Sequence, residues 1–431
     1  MSPELEGLKF SMQGFKAYST QAYRQAQDLP AVREFVPHPA VVFITIAHAE
    51  GLNTTDDSCA FHKRSAVENN TPIVNGSHMT PDVNIKYVEQ TIDLDNVPLD
   101  GGVLVKTLAM SVDPYLIYRM RDPNIPMFCP PMTVGEPADN LGVGKIVRSD
   151  DPKFKPGDFV IGYLNFQEYS VYPGKIVHFF KTPLQKVDKI PGIPWSVFTG
   201  TLGLAGMTAW SGLKVYATEK VKTAKTLFVS GGGGPVGTFV IEYAKIMAPH
   251  LKVIASAGTD EKVKIMKQVG ADVAFNYKTE DTEKILRENG PIDIYWDNVA
   301  GPTLDAALVN MTDYGLIIAC GSASSAVGTS YVKVTRSLRL FAVSMTLTGP
   351  LHQHFEEIFK RSITVNGFIV NRGPTGDILP QFHQEVVPLV LQKKISVFEQ
   401  RYDGIKNAGQ AMHDLHTGAN TGKAVVIVAD D

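Results

Sequence analysis

The sequence has only three cysteines in 431 residues, Cys59, Cys129 and Cys320. They stand too far apart for a disulfide framework or a four-thiolate zinc lobe. A reducing compartment fits, and a cytoplasmic location is the expectation. Long apolar runs are lacking too: the longest candidate, Val41 to Ala47, falls far short of the ~20 residues that span a bilayer. The Ala47-His48-Ala49 tripeptide resembles a signal-peptidase site, but its apolar segment is too short and the residues before it too mixed for a leader. Asn53-Thr54-Thr55 and Asn75-Gly76-Ser77 are therefore glycosylation sequons on paper only. Charge of one sign is missing as well, with 41 Lys and Arg against 44 Asp and Glu and no block of like charges. Neither nucleic acid nor a membrane surface is an expected partner.

What is present suffices for two cored domains, since 44% of the residues are hydrophobic. Residues 1–79 show no alternation of strands and helices and read as an N-terminal extension of unknown role. Within it, Gly76-Ser77-His78-Met79 has the form of a cloning junction, or is natural sequence. From Val83 the texture becomes short apolar runs cut by Gly and Pro: Val103 to Ala109, Gly142 to Val147, Phe159 to Tyr163 and Tyr169 to Tyr172. These predict a small, mostly antiparallel β domain, with a turn at Lys155-Pro156-Gly157-Asp158. From about Thr201, strands alternate with amphipathic helices. Strands are predicted at Thr226–Ser230, Lys252–Ala257, Val273–Asn276, Ile292–Trp296, Gly315–Cys320 and Thr364–Val370, with helices at Val236–Met247 and Glu261–Val269. That alternation implies an α/β fold with a doubly wound parallel sheet. The apolar strand Ala424 to Val428 is expected to return to the first domain. The predicted division is 80–200 with 378–431 for the β domain and 201–377 for the parallel sheet.

The strand Thr226–Ser230 leads into Gly231-Gly232-Gly233-Gly234-Pro235-Val236-Gly237, where Gly232, Gly234 and Gly237 satisfy G-x-G-x-x-G between strand and helix. Such glycines allow the tight turn, the approach of a pyrophosphate and the packing of helix on strand, which is the Rossmann dinucleotide arrangement. About twenty residues on, where an NAD site places an acid on the ribose, stand Ala257 and Gly258. Lys262 and Tyr277 are placed to meet a 2′-phosphate instead, so NADP(H) is the predicted cofactor, while Asp260 leaves a route back to the ribose hydroxyl.

Five ordered motifs then carry a resemblance: Ser111-Val112-Asp113-Pro114-Tyr115, Gly203 to Trp210, Phe275-Asn276-Tyr277-Lys278-Thr279, Asp297-Asn298-Val299-Ala300-Gly301 and Gly418 to Lys423. From about Asp82 to its end the chain resembles the zinc-independent medium-chain reductases, among them prostaglandin and leukotriene B4 reductases, alkenal double-bond reductases and curcumin reductases. The resemblance implies a GroES-like catalytic β domain. It also implies NADPH-dependent reduction of the double bond of a small conjugated aldehyde or ketone. Matched position by position, it places Gly234, Pro235 and Val236 by the pyrophosphate, Lys262 and Tyr277 by the 2′-phosphate and Asn298 by the ribose. Cys320, Gly321 and Ser322 line the crevice, Phe368, Ile369 and Val370 contact the nicotinamide, and Asn420 reaches in from the tail. For Asn298 and Asn420, turn capping is the competing reading. Relatives are often dimeric through the cofactor-domain sheet edge, which makes a homodimer an expectation.

Zinc-dependent relatives carry Cys where this chain has Ser111 and a His-Glu pair where it has Glu136-Pro137, so no metal is expected. His352-Gln353-His354 offers two imidazoles without a third ligand. The oxyanion then needs hydrogen bonds, for which the cofactor ribose hydroxyl and Tyr115 are the candidates, unless the Tyr115 hydroxyl is satisfied elsewhere in the pocket wall. Animal relatives carry a tyrosine where this chain has Asn371, and an amide cannot supply a proton at neutral pH. Three readings compete with an enone reductase: a quinone oxidoreductase, an enoyl reductase of secondary metabolism and a non-catalytic NADPH-binding protein.

Overall fold

The computed structural model describes residues 61–73, 78–124, 127–173, 183–324 and 354–431. Residues 1–60, Asn75, the Gly76-Ser77 pair and His352, all singled out above, lie outside them.

Two antiparallel strands open the β domain, β1 (Phe61–Asn69) and β2 (Ile85–Asp93), in register from Phe61↔Asp93 to Asn69↔Ile85. Then follow β3 (Val103–Ser111), β4 (Asp139–Ser149), β5 (Phe159–Asn165), β6 (Tyr169–Tyr172) and β7 (Gln185–Lys186). Neighbouring strands among β3 to β7 all pair antiparallel. The turn at Lys155–Asp158 forms as expected: Gly157 takes φ +92°, and the Asp158 N–H reaches the Lys155 carbonyl at 3.1 Å. Val67 and Ile73 pack into the same core as Met110, Leu116, Leu164 and Phe166. Residues 61–73 therefore belong to the β domain and not to the extension in which the sequence placed them. The strand is hard to read because Ala66 and Val67 are its main buried apolar residues and its partner lies beyond a loop.

The second domain is a six-stranded parallel sheet of β8 (Thr226–Ser230), β9 (Lys252–Ala257), β10 (Val273–Asn276), β11 (Ile292–Asp297), β12 (Met311–Ala319) and β13 (Thr364–Gly367). Its order is β10-β9-β8-β11-β12-β13. Around it lie α1 (Leu204–Gly212), α2 (Pro235–Met247), α3 (Asp260–Gln268), α4 (Thr282–Asn289) and α5 (Gly301–Leu308). All five side chains of β8 are buried, as a sheet covered on both faces requires. The order reverses between β8 and β11, and ligands bind outside the strand ends at such a switch.

The chain does not leave this domain at residue 378. Helix α6 (Phe382–Leu391) lies on α1, with Phe382 edge-on to Trp210 at 5.6 Å. Glu385 accepts from the Trp210 indole at 3.3 Å and the Tyr243 hydroxyl at 3.4 Å. The return comes at β14 (Glu399–Asp403), followed by α7 (Ala408–Thr417) and β15 (Lys423–Ile427). As expected, β15 pairs antiparallel with β3, Val425 opposite Ser111. The β-domain sheet runs β14-β15-β3-β4-β5-β7, with β6 on β3.

Candidate active site

After Ser230 the backbone turns at Gly231, where φ is +60°. The Gly232 N–H bonds the Ser256 carbonyl at 2.8 Å, and α2 opens on Pro235, whose fixed φ and missing N–H suit a first helical position. A Cβ at Gly232 would stand 2.6 Å from the Met266 sulfur, and one at Gly237 2.5 Å from both the Gly231 oxygen and the Gly232 Cα. Gly237 is demanded by the protein's own backbone, whereas at Gly232 the Met266 side chain would have to shift. Gly234 is different: a Cβ there would meet only the Gly231 oxygen, at 3.5 Å, and its φ of −87° suits any residue. The space before it opens onto the unpaired N–H groups that start α2, a place that favours an anion.

Lys262 rises from the first turn of α3, capped by Thr259 at 3.3 Å, and packs against Gly233, where a Cβ would lie 2.6 Å from its own. Its ammonium donates to the Gly418 carbonyl at 2.7 Å. Burial and the nearby Lys278 ammonium lower the Lys262 pKa. Tyr277 is 46% exposed, and a Cβ on Gly258 would lie 2.9 Å from its hydroxyl and 3.2 Å from Lys278 Cε. Two cations and a phenol thus gather at the end of β9, and a dianion there would offset their mutual repulsion. Lys278 was not among the expected residues, although it stands in the motif Phe275 to Thr279. Asp260 is turned to Asn276, accepting from its amide at 2.8 Å.

At the end of β11, Asp297 accepts from Tyr295 Oη at 2.8 Å and from the N–H groups of Val299 at 2.9 Å and Ala300 at 2.7 Å. Burial lifts its carboxyl above the usual range all the same. These bonds hold Ala300 at φ +60°, an uncommon backbone for a residue with a side chain. The Asn298 amide donates to the Ser230 carbonyl at 2.8 Å and accepts from the Trp296 indole at 3.0 Å, while the Asn420 amide closes its own turn on Gly422 at 2.8 Å. Asn420 thus caps its own turn, whereas Asn298 ties the end of β11 to the end of β8.

The N–H groups of Cys320 and Gly321 bond the Asp297 carbonyl, which sets them beside the switch point. Burial pushes the Cys320 thiol up to about 12. Phe368 packs edge-on to Trp296 at 5.9 Å, and Ile369 and Val370 follow β13, whose predicted end at Val370 is cut back to Gly367. Asn371 is half-buried between β13 and the helical turn Gly373–Ile378. Its neighbour Arg372 donates to the Phe128 carbonyl of the β domain at 3.2 Å.

The β domain faces this crevice with the helical turn Leu116–Arg119, where Tyr118 Oη and Ser322 Oγ meet at 3.1 Å. Tyr115, which precedes the turn, donates its phenolic proton to Asn140 Oδ1 at 2.6 Å. Its hydroxyl is thus satisfied within the pocket wall, and burial raises its pKa well above the ordinary value. The residues do not fit a catalytic zinc: Ser111 Oγ is bonded to Asp113, and among the described residues no three metal-ligating side chains gather. No helix among them is long and apolar enough to cross a membrane.

Two family descriptions match, "N-terminal domain of oxidoreductase" over residues 79–179 and "Zinc-binding dehydrogenase" over residues 235–383. The chain is 36% identical to a 2-alkenal reductase (NADP(+)-dependent) of Nicotiana tabacum, over 83% of this chain and 95% of that one. It is 34% identical to a zinc-type alcohol dehydrogenase-like protein of Schizosaccharomyces pombe, over 81% and 93%. Among solved structures, CurA of Vibrio vulnificus in complex with NADPH superposes with a TM-score of 0.71 at 25% identity, over 85% of this chain and all of the other. The chain belongs to the zinc-independent medium-chain dehydrogenase/reductase family of oxidoreductases.

Proposed function

We propose that the protein is an NADPH-dependent reductase of the carbon–carbon double bond in α,β-unsaturated aldehydes and ketones. The observation that carries the cofactor is the open space at Gly234, continuous with a helix start and close to Lys262, Lys278 and Tyr277. Gly234 to Gly237 would receive the pyrophosphate, and the two lysines with Tyr277 the 2′-phosphate. NADPH, once bound, supplies the hydride that adds to the β-carbon of the substrate. The chain's own part is to hold the substrate carbonyl against the hydroxyl-bearing face of the β domain and to provide a proton. Similarity to an alkenal reductase supports that substrate class.

The cysteines support a cytoplasmic setting, Cys129 and Cys320 both being free thiols. Homodimerisation through β13 is part of the same reading. Among the described residues that strand pairs only with β12, and it leaves Val365 46% exposed. Purified protein is expected to consume NADPH with conjugated enals and enones and to yield the saturated carbonyl. Consumption with quinones alone would replace the reading by a quinone oxidoreductase, and tight NADPH binding without any turnover by a binding protein.

A further inference from the structure

Two hydroxyls meet across the crevice. Ser322 belongs to the segment after β12, which is laid along the carboxyl end of β11. The N–H groups of Cys320 and Gly321 reach the Asp297 carbonyl at 2.9 and 3.0 Å. Those of Ala323 and Ser324 reach the carbonyls of Asn298 at 3.2 Å and Val299 at 3.0 Å. Ser322 is thereby fixed at the strand ends where the sheet order reverses and ligands bind. Tyr118 comes from the β domain, in the turn Leu116–Arg119, and its Oη lies 3.1 Å from Ser322 Oγ. The residue is only 8% exposed, with Phe128 edge-on to its ring at 5.6 Å. The Arg121 guanidinium stands over the same ring, 5.1 Å from its centre. A phenol oxygen thus lies between the domains, shielded from water and backed by a cation.

Tyr115 and Tyr118 differ in what their partners allow. Tyr115 gives its proton to Asn140 Oδ1, an oxygen that only accepts. The nitrogen of that amide is committed to the Ser111 carbonyl at 2.8 Å and to Asp113 at 2.9 Å, so the amide cannot turn over. Ser322 Oγ both donates and accepts, and either hydroxyl can be the donor in its bond with Tyr118. Rotation of the Ser322 hydroxyl is enough to release the Tyr118 proton.

We propose that Tyr118 is the proton donor to the substrate, with the Ser322 hydroxyl as its partner. The proposal rests on the enone-reductase reading. Hydride addition at the β-carbon shifts the π pair of the double bond and leaves an enolate oxygen. That oxygen takes the Tyr118 proton, an enol O–H forming as the phenol O–H breaks. The phenolate left behind accepts from Ser322 and faces the Arg121 guanidinium, whose charge offsets its own. Water returns a proton to Tyr118. The enol passes to the saturated carbonyl by giving its hydroxyl proton to water and taking one from water at the α-carbon. Asn371, on the other side of the crevice, has no acidic proton to compete for this role.

The test compares wild type, Tyr118→Phe, Ser322→Ala and Tyr115→Phe. Each is measured for kcat and KM with NADPH and an enone, and for NADPH affinity and thermal midpoint. Tyr118→Phe keeps the ring that Phe128 and Arg121 pack against and loses only the hydroxyl. It is expected to lower kcat by ~100-fold or more, the usual worth of a general acid, with NADPH affinity and thermal midpoint close to wild type. Ser322→Ala leaves the phenol its proton and should cost ~10-fold or less, the loss of one hydrogen bond. Tyr115→Phe should likewise cost ~10-fold or less. A loss in Ser322→Ala equal to that in Tyr118→Phe would make the contact a tie between the domains and overturn the proposal. So would a Tyr118→Phe variant that keeps kcat, loses NADPH affinity in parallel with it, or is more active than Tyr115→Phe. Wild type without enone turnover sinks the functional reading and this proposal together, whereas wild-type turnover with any of those outcomes sinks this proposal only.

Discussion

The cofactor side of the crevice is made by one continuous stretch, Ser230 to Gly237, with Lys262 laid against it. The opposite side draws on Asp113, Asn140 and Lys423, whose buried ammonium meets Asp113 Oδ1 at 2.8 Å, from segments of which the outermost are 310 residues apart. One side is held by backbone sterics, in which a glycine is either needed or not. The other is held by a buried charge and a sequence of donors and acceptors, in which each member depends on the next. A fault in the loop should therefore stay local, whereas a fault at the buried charge should spread through the β domain.

The largest effect is expected at that charge. Lys423→Met leaves the Asp113 carboxylate buried without its cation, and breaking a buried pair from one side costs about 3–5 kcal/mol. Chemical denaturation of the variant beside wild type measures it. A loss under ~1 kcal/mol would mean that the pair is worth no more than a surface ion pair, and the contrast between the two sides would collapse.

The same contrast decides what could be read from sequence. The glycine loop was legible because its requirement is short-range: a strand, three spaced glycines and a helix start. Strand limits in the parallel sheet were legible from buried apolar runs, residue for residue at β8, β9 and β10 and to within a few residues at β12 and β13. β1 was not, since its pairing with β2 gives its polar residues a partner that no local pattern announces. Asn140 was invisible for the same reason. It sits at the start of β4 and gains meaning only when Tyr115, Ser111 and Asp113 are brought to it. The boundary at residue 378 failed because α6 carries apolar residues that fit either domain, and the Glu385 contacts with Trp210 and Tyr243 settle which.

An intermediate effect is expected at Lys262. Its ammonium lies where burial and Lys278 disfavour the charge, and a 2′-phosphate would restore it. Lys262→Ala should weaken NADPH by ~1.5–3 kcal/mol, or ~10–100-fold, while leaving NADH nearly unchanged. Fluorescence titration with the two cofactors checks this. Equal losses for both would move the role of Lys262 from the phosphate to the Gly418 carbonyl that it bonds.

The smallest and most discriminating change is Gly234→Ala. The added methyl meets nothing closer than the Gly231 oxygen at 3.5 Å and needs no unusual φ, so the cofactor-free protein should keep its thermal midpoint. The methyl would, however, occupy the space through which a pyrophosphate nears the backbone, and NADPH affinity should fall by ~10-fold, about 1.4 kcal/mol. The partner experiment is Gly237→Ala, whose methyl would lie 2.5 Å from backbone atoms, forcing the turn and helix apart and destabilising the protein with or without cofactor. If Gly234→Ala instead destabilised the cofactor-free protein as much as Gly237→Ala, both glycines would be structural and the open space would lose its claim on the phosphate.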